Sequence, residues 1–265
     1  MSVENRYKQQ DWDEYYKNEK KIHIKTKKGF FSFYDLFLCN CILEKYLPRY
    51  QGNDESRPKM CEIGSGDGKL VRQLADSFNY QSFGIEYSEA AAKNAQVTGV
   101  NTIISDAFDE KMLKTYAESF DLVYSYGFVE HILPPQKAVA IHLALLKKGG
   151  YFFIQIPRLK GFNYLKAKIF RPDLLPLHNL KIMEEETLRE ACVRDDVQEI
   201  FCGKYGTIKL RLPLAKRNFG WYIMKILSFP DRYILNPLLR LIFGKKGLET
   251  KLFSPCVIFI GRKIK

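Results

Sequence analysis

The sequence predicts an α/β fold: a doubly wound, mostly parallel sheet of seven strands, with an N-terminal helical segment and a helical insertion before the last strand. Three observations predict it. Between residues 60 and 156 short apolar runs alternate with amphipathic stretches, the pattern of a parallel sheet covered by helices. The stretch KMCEIGSGDGKL at 59–70 joins one such run to a helical pattern through three glycines, as a tight strand-to-helix turn requires. The chain has 265 residues, 46% of them hydrophobic and 14% aromatic, which is enough to bury one large core.

In order, strands are expected at 60–63, 82–86, 102–105, 122–125 and 151–156, with helices at 69–78, 88–97, 108–117 and 135–147 between them. The last of these helices ends in KKGG, with cations in the final turn and glycine past it, a helix-stop signal. Upstream, YDLFLCNCILEKYL reads as an apolar helix leaning on the sheet. Downstream, EEETLREACV reads as a helix, VQEIFCG as a strand and SPCVIFIGRKIK as the final strand. The chain therefore divides into an N-terminal segment (1–57), a core (58–203), an inserted cap (204–250) and the last core strand (251–265).

The insertion is unusual in composition. From 204 to 247 it holds ten Lys and Arg, one acid (Asp231), and apolar blocks such as GWYIMKILSF and YILNPLLRLIF. Pro230 and Pro237 are expected to break it into short helices. Such a segment reads as a cap packed on the domain, as a lid or dimer contact, or as an interfacial membrane helix with Trp221 and Tyr222 at the headgroup level.

The whole chain has a net charge of +12, which favours acidic partners: nucleic acid, anionic lipid or a phosphorylated small molecule. Six cysteines occur without a C-x-x-C pair and read as reduced and structural. The N-terminus MSVENRYKQQDWDEYYKNEKK is polar, and no run of 18 apolar residues follows. The expected location is cytoplasmic, with peripheral contact at the inner face of the membrane open through 204–250.

The glycine turn narrows the ligand. Dinucleotide folds use G-x-G-x-x-G, whereas here Gly64, Gly66 and Gly68 follow G-x-G-x-G, Lys69 takes the place of the third dinucleotide glycine, and Glu62 stands two residues before the first. That combination resembles the class I S-adenosylmethionine-dependent methyltransferases, whose first motif is E/D-x-G-x-G-x-G. FDLVYSYGFVEHI and LLKKGGYFFIQIP are similar to later motifs of this family, in particular its small-molecule O-methyltransferase branch, which includes the ubiquinone-biosynthesis enzymes. DWDEYYKN resembles a segment that closes over the cofactor. The resemblance spans 11–157.

It implies a Rossmann-like core, an N-terminal lid and S-adenosyl-L-methionine as cofactor. The implied cofactor residues are Gly64, Ser65 and Gly66 of the loop, Glu62 on the ammonium and sulfonium side, Glu86 for the ribose hydroxyls, and Asp106 with the Ala107 N–H for the adenine. Tyr87 would pack on the nucleoside, Ser125 and Tyr126 close the fourth strand, and Trp12 and Tyr16 belong to the lid. The helix N-terminus after the loop would face the methionyl carboxylate.

Methyl transfer to a hydroxyl asks the enzyme to position an oxygen and remove its proton. His131 and His178 are the candidate catalytic bases. Some relatives carry E-x-x-E-H here and bind a divalent metal with a later histidine; this chain has Gly127 in place of the first Glu, then Glu130 and His131, so no metal is expected. The fourth strand runs into YSYG and lacks the N/D-P-P-Y/F turn of many N-methyltransferases, which argues for an oxygen acceptor. Arg158, Lys160, Lys166, Lys168 and Arg171, interleaved with Phe162, Tyr164 and Phe170, suggest an acidic acceptor. The reading is O-methylation of a small molecule or saccharide, phosphorylated, nucleotide-linked or lipid-linked. RNA methylation is the alternative and nucleic acid the less expected partner; a non-catalytic nucleoside-binding scaffold is a third reading, and the oligomeric state is open.

Overall fold

The computed structural model describes residues 4–5, 38, 42–52, 56–210, 219–244 and 248–265. Seven strands form one sheet: β1 (Lys59–Ile63), β2 (Gln81–Glu86), β3 (Asn101–Ile104), β4 (Phe120–Tyr126), β5 (Leu146–Pro157), β6 (Val197–Tyr205) and β7 (Cys256–Lys263). Their spatial order is β3-β2-β1-β4-β5-β7-β6, all parallel except β7, which runs antiparallel to both neighbours. The order reverses between β1 and β4, and in an open α/β sheet that switch point opens a crevice at the carboxyl ends of the strands.

Both faces are covered, which explains why the strands read as nearly continuous apolar runs. Side chains alternate across a strand, so Met60, Leu122, Tyr124, Phe153 and Ile258 pack on one face with α1 (Lys69–Phe78) and with Leu38, Ile42, Leu43 and Leu47. Cys61, Ile63, Val123, Ile154 and Phe259 pack on the other, under α4 (Pro135–Leu145) and α6 (Glu185–Cys192). The upstream apolar segment thus leans on the sheet as expected. Further helices are α2 (Glu89–Val97), α3 (Glu110–Thr115), α5 (Phe162–Phe170), and α7 (Phe219–Pro230) and α8 (Asn236–Phe243), which lie between β6 and β7, and a single helical turn at Glu44–Tyr46 precedes the sheet. Local chemistry sets their starts: the Ser88 hydroxyl accepts from Ala91 N–H at α2, and the Asp109 carboxylate accepts from Met112 N–H at 2.7 Å at α3.

Two boundaries depart from expectation. α4 stops at Leu145, and KKGG belongs to the start of β5, where Leu146 pairs with Phe120 and Tyr151 with Leu122. Lys147 spends its ammonium on the Asp121 carboxylate at 2.8 and 2.9 Å, and Gly149 supplies a left-handed turn at φ 80° within the irregular strand. The prolines of the cap also fail to break it. The chain stays helical through Asp231–Leu235, a π-helical turn in which Asn236 N–H donates to the Asp231 carbonyl five residues back, and the wider turn absorbs the amide that Pro237 lacks.

At the other end of the chain Glu4–Asn5 pair antiparallel with Ile132–Leu133, which brings the N-terminal segment to the loop after β4. Trp12 and Tyr16 lie outside the described residues. Among the described cysteines Cys61, Cys192 and Cys202 are free thiols, and burial pushes the Cys202 thiol up to about 12. Among the described residues no helix is long and apolar enough to cross a membrane.

Candidate active site

The carboxyl ends of β1 to β4 bring the sequence-predicted residues together around the switch point. Glu86 ends β2, is buried, and divides its carboxylate between two backbone donors: Gly66 N–H at 2.8 Å and Ser88 N–H at 2.8 Å. One side chain thereby ties the glycine loop to the start of α2 at the crevice. A carboxylate oxygen has lone pairs for more than one donor, so both remain able to accept hydroxyls.

The loop's other amides turn inward. Gly64 N–H and Ser65 N–H both donate to the Ile85 carbonyl, Gly68 N–H donates to the Ser65 carbonyl, and the Asp67 carboxylate accepts from Lys69 N–H. At the start of α1 Asp67, ion-paired with Lys69, also occupies the helix's first amide. The glycines act here through the tight turn and the missing Cβ. At Gly64 (φ +71°) a Cβ would be strained by the left-handed backbone and would crowd the Phe128 ring at 3.3 Å.

Two serines are corrected as well. Ser65 is buried with its hydroxyl turned onto Gly84 of β2, so its side chain faces the sheet. Ser125 is fully buried on the α4 face, where its hydroxyl lies 3.0 Å from His142 Nε2. His142 Nδ1 contacts the Ala138 carbonyl at 2.7 Å, which fixes the proton on Nδ1 and makes Nε2 the acceptor of the serine hydroxyl. Burial, opposed by that carbonyl bond, holds the imidazole down at about 4. Ser125 therefore satisfies a buried neutral histidine.

The remaining predicted positions are better placed. Glu62 is buried on β1 and accepts the Tyr124 hydroxyl at 3.0 Å; Tyr124, stacked on Phe153 at 4.4 Å, holds that carboxylate in place. Asp106 is exposed after β3, with Oδ1 accepting Phe108 N–H at 2.9 Å, and Ala107 packs into the core beside it. Tyr87 and Tyr126 are half-buried at the ends of β2 and β4.

Two residues were missed. Ile104 pairs in register with Glu86 at the end of β3 and is exposed, an apolar surface next to the Glu86 carboxylate. Phe128 packs on Gly64 and lies 6.4 Å from the Phe108 ring, linking the glycine loop, the loop after β3 and the turn that carries His131. The signal for Phe128 was its place between Gly127 and Glu130, one step past a strand that ends in the crevice.

That turn, Val129–His131, holds the catalytic candidates. His131 and His178, far apart in sequence, have ring centroids 4.6 Å apart. His131 Nδ1 lies 2.9 Å from the Leu177 carbonyl and His178 Nδ1 2.6 Å from the Leu174 carbonyl; a carbonyl only accepts, so each Nδ1 carries the proton and each Nε2 is the basic nitrogen. Asn179 N–H donates to the Glu130 carbonyl at 2.7 Å and holds the two segments together.

The Glu130 carboxyl is 1% exposed; its Oε1 stands 3.8 Å from His131 Nε2, its Oε2 has no hydrogen-bond partner among the described residues, and burial pushes it up to about 8. Ligand atoms of Glu130, His131 and His178 all lie within 4.8 Å of one another. Two imidazoles oriented by carbonyls and one buried carboxylate fit a divalent cation, even without the carboxylate that Gly127 replaces.

The basic segment after β5 is less open to a substrate than its composition suggests. Arg158 is buried, donating to Glu184 at 2.9 Å and to the Lys251 carbonyl at 2.7 Å; Lys166 is buried on the Lys209 carbonyl; Arg171 pairs with Asp173. Lys168 alone of the cations at 158, 166, 168 and 171 is exposed.

The family profile described as "Methyltransferase domain" matches residues 35–192. Ubiquinone biosynthesis O-methyltransferases of Escherichia coli O127:H6 and Salmonella enteritidis PT4 are each 25% identical over 114 residues, 42% of this chain and 48% and 47% of theirs. The chain thus spans about half the length of the curated relatives it matches. Among solved structures, the methyltransferase in complex with the Trm112 activator from Haloferax volcanii superposes with a TM-score of 0.58 at 14% identity, covering 96% of this chain and 98% of that one. The Haemonchus contortus phosphoethanolamine N-methyltransferase 2 in complex with S-adenosyl-L-methionine gives 0.50 at 18% identity, covering 85% and 52%. At such identities the structural likeness carries the fold.

Proposed function

For a chain that belongs to the methyltransferase-domain family, and within it to the class I S-adenosylmethionine-dependent methyltransferases, we propose O-methylation of a hydroxyl on a small molecule or saccharide. The observation that carries this reading is the pair of basic Nε2 atoms on His131 and His178, set on the turn whose Phe128 packs against the glycine loop. When bound, S-adenosyl-L-methionine supplies a methyl carbon already activated by its sulfonium. Glu86 would accept from the ribose hydroxyls, Asp106 from the adenine amino group, and Ile104 and Phe128 would exclude water beside them. The acceptor oxygen takes the methyl group as a histidine Nε2 takes its proton, leaving S-adenosylhomocysteine; a base at this position typically contributes about 10²–10⁴-fold.

The absence of the N/D-P-P-Y/F turn supports an oxygen acceptor, and the burial of Arg158 and Lys166 weighs against RNA and against a highly charged one. The test is transfer of labelled methyl from S-adenosylmethionine to panels of free and lipid-linked saccharides, phenols, carboxylic acids and RNA. A base-stable ether product on a hydroxyl supports the reading; a base-labile ester or labelled RNA contradicts it.

A second reading is favoured by Glu130 Oε2, which has no hydrogen-bond partner among the described residues: Glu130, His131 and His178 would hold a divalent cation, which would supply Lewis acidity to an acceptor hydroxyl in place of a base. Stoichiometric metal in the purified chain, lost in Glu130→Gln together with activity, selects this reading; turnover unchanged by chelator selects the first.

A further inference from the structure

The cap between β6 and β7 turns its apolar side chains outward. On α7 Phe219 is 80% and Ile226 70% exposed, on α8 Leu241 is 83% exposed, and Phe229, Tyr233 and Phe243 lie open with them. A cap that only completed a core would bury these residues, and an exposed apolar patch of this extent marks a surface made for contact. The π-helical turn carries the helix past both prolines, so this face continues from α7 into α8.

Polar groups of the same segment do the reverse and fasten it to the domain. Asn236 is buried; its side-chain amide donates to the Ile208 carbonyl at 3.0 Å and the Asp231 carbonyl at 2.8 Å, and its Oδ1 accepts the Thr207 hydroxyl. The Asp231 carboxylate, 3% exposed, accepts from Leu210 N–H at 3.0 Å, and Lys166 of α5 reaches the Lys209 carbonyl.

Charge selects the partner. Residues 204–247 contain ten Lys and Arg and a single acid, which is this same Asp231. The segment's one carboxylate is spent inside, so the net charge the segment carries is strongly positive, and Lys225 is exposed on α7 among the apolar side chains. A second copy would bring two such surfaces together across a symmetric contact, cation against cation. An anionic lipid surface offers both complements at once: headgroup phosphates for the cations and acyl chains for the apolar face. With no described helix long enough to cross, the arrangement is that of a segment lying in the membrane plane.

We infer that the α7–α8 cap docks the domain on an anionic bilayer, with its exposed apolar side chains at the boundary between headgroups and acyl chains. The test is flotation of the full chain with vesicles of phosphatidylcholine alone and of phosphatidylcholine mixed with phosphatidylglycerol, alongside Ile226→Asp/Leu241→Asp. Both substituted positions are exposed, so the variant should keep the parent's melting temperature. The chain should float with the mixed vesicles, less so as salt rises, and the double variant should lose about tenfold or more of that partitioning. Flotation that is equal on neutral vesicles, equal for the variant, or absent overturns the inference. So does dimerisation of the lipid-free chain that the double variant abolishes, since it would assign the face to a second copy.

Discussion

Glu86 Oε2 accepts the Gly66 amide at 2.8 Å, joining the end of β2 to the turn between β1 and α1. Because the other oxygen holds Ser88 N–H, the carboxylate sets the distance between the glycine loop and the α2 N-cap. Glu86→Gln keeps the size but turns an N–H₂ toward one of these donors. Loss of a charge-assisted hydrogen bond of about 1.5–3 kcal/mol should weaken S-adenosylhomocysteine binding by roughly 10–100-fold. Calorimetry on the two proteins measures it, and affinity within twofold of the parent would remove Glu86 from the site.

Gly68 starts α1 at φ +72°, and a Cβ there would stand 2.9 Å from Ala95 Cβ and 3.0 Å from Val100 Cγ2. Neither neighbour has a flexible end that could swing away. Gly68→Ala should therefore destabilise the fold by about 2–4 kcal/mol, through left-handed strain together with overpacking against α2. Urea unfolding gives the value, and a loss under 1 kcal/mol would mean that α2 yields easily.

His142 supplies a pH dependence. Its imidazole is held at about 4 by burial, whereas in the unfolded chain it titrates near the ordinary histidine value of about 6.5. Between these values the unfolded chain binds a proton that the native chain does not, so stability falls as pH drops from 6.5 toward 4. His142→Leu removes this contribution at the cost of the Ser125 bond; its melting temperature should be lower at pH 7 and change less across that window. A variant with the same slope as the parent would show that other groups set the acid sensitivity.

His131→Ala and His178→Ala should each lower turnover of the acceptor by about 10²–10⁴-fold if they remove the base, with S-adenosylhomocysteine affinity held within about twofold. Their rings lie 4.6 Å apart and serve the same proton transfer, so the two act as one unit and the double variant should fall short of the product of the two losses. Unchanged turnover in both single variants would take catalysis away from this pair.

Much of this site was legible because its residues sit at strand ends. A strand end is marked in sequence by the switch from apolar run to turn, and Glu62, Glu86 and Asp106 follow that switch in β1, β2 and β3. What stayed hidden depends on sidedness and on distant partners. Ser125 follows Tyr124, so the two face opposite sides of β4, but that Ser125 meets His142 is known only once α4 is laid on the sheet. KKGG carries a helix-stop signal that local chemistry cannot distinguish from a strand opening with Lys147 bound to Asp121. The pairing of His131 with His178 depends on the short helical turns at Pro172–Leu177, which return the chain to the turn after β4, a tertiary path that no local pattern specifies.

The central claim is that the crevice at the carboxyl ends of β1 to β4 holds S-adenosylmethionine. It is tested most directly by calorimetric titration of the purified chain with S-adenosylhomocysteine, with NAD in parallel. The account predicts saturable binding of S-adenosylhomocysteine at one site per chain, with NAD silent. NAD binding, or silence from both ligands in a chain shown to be folded, would contradict it.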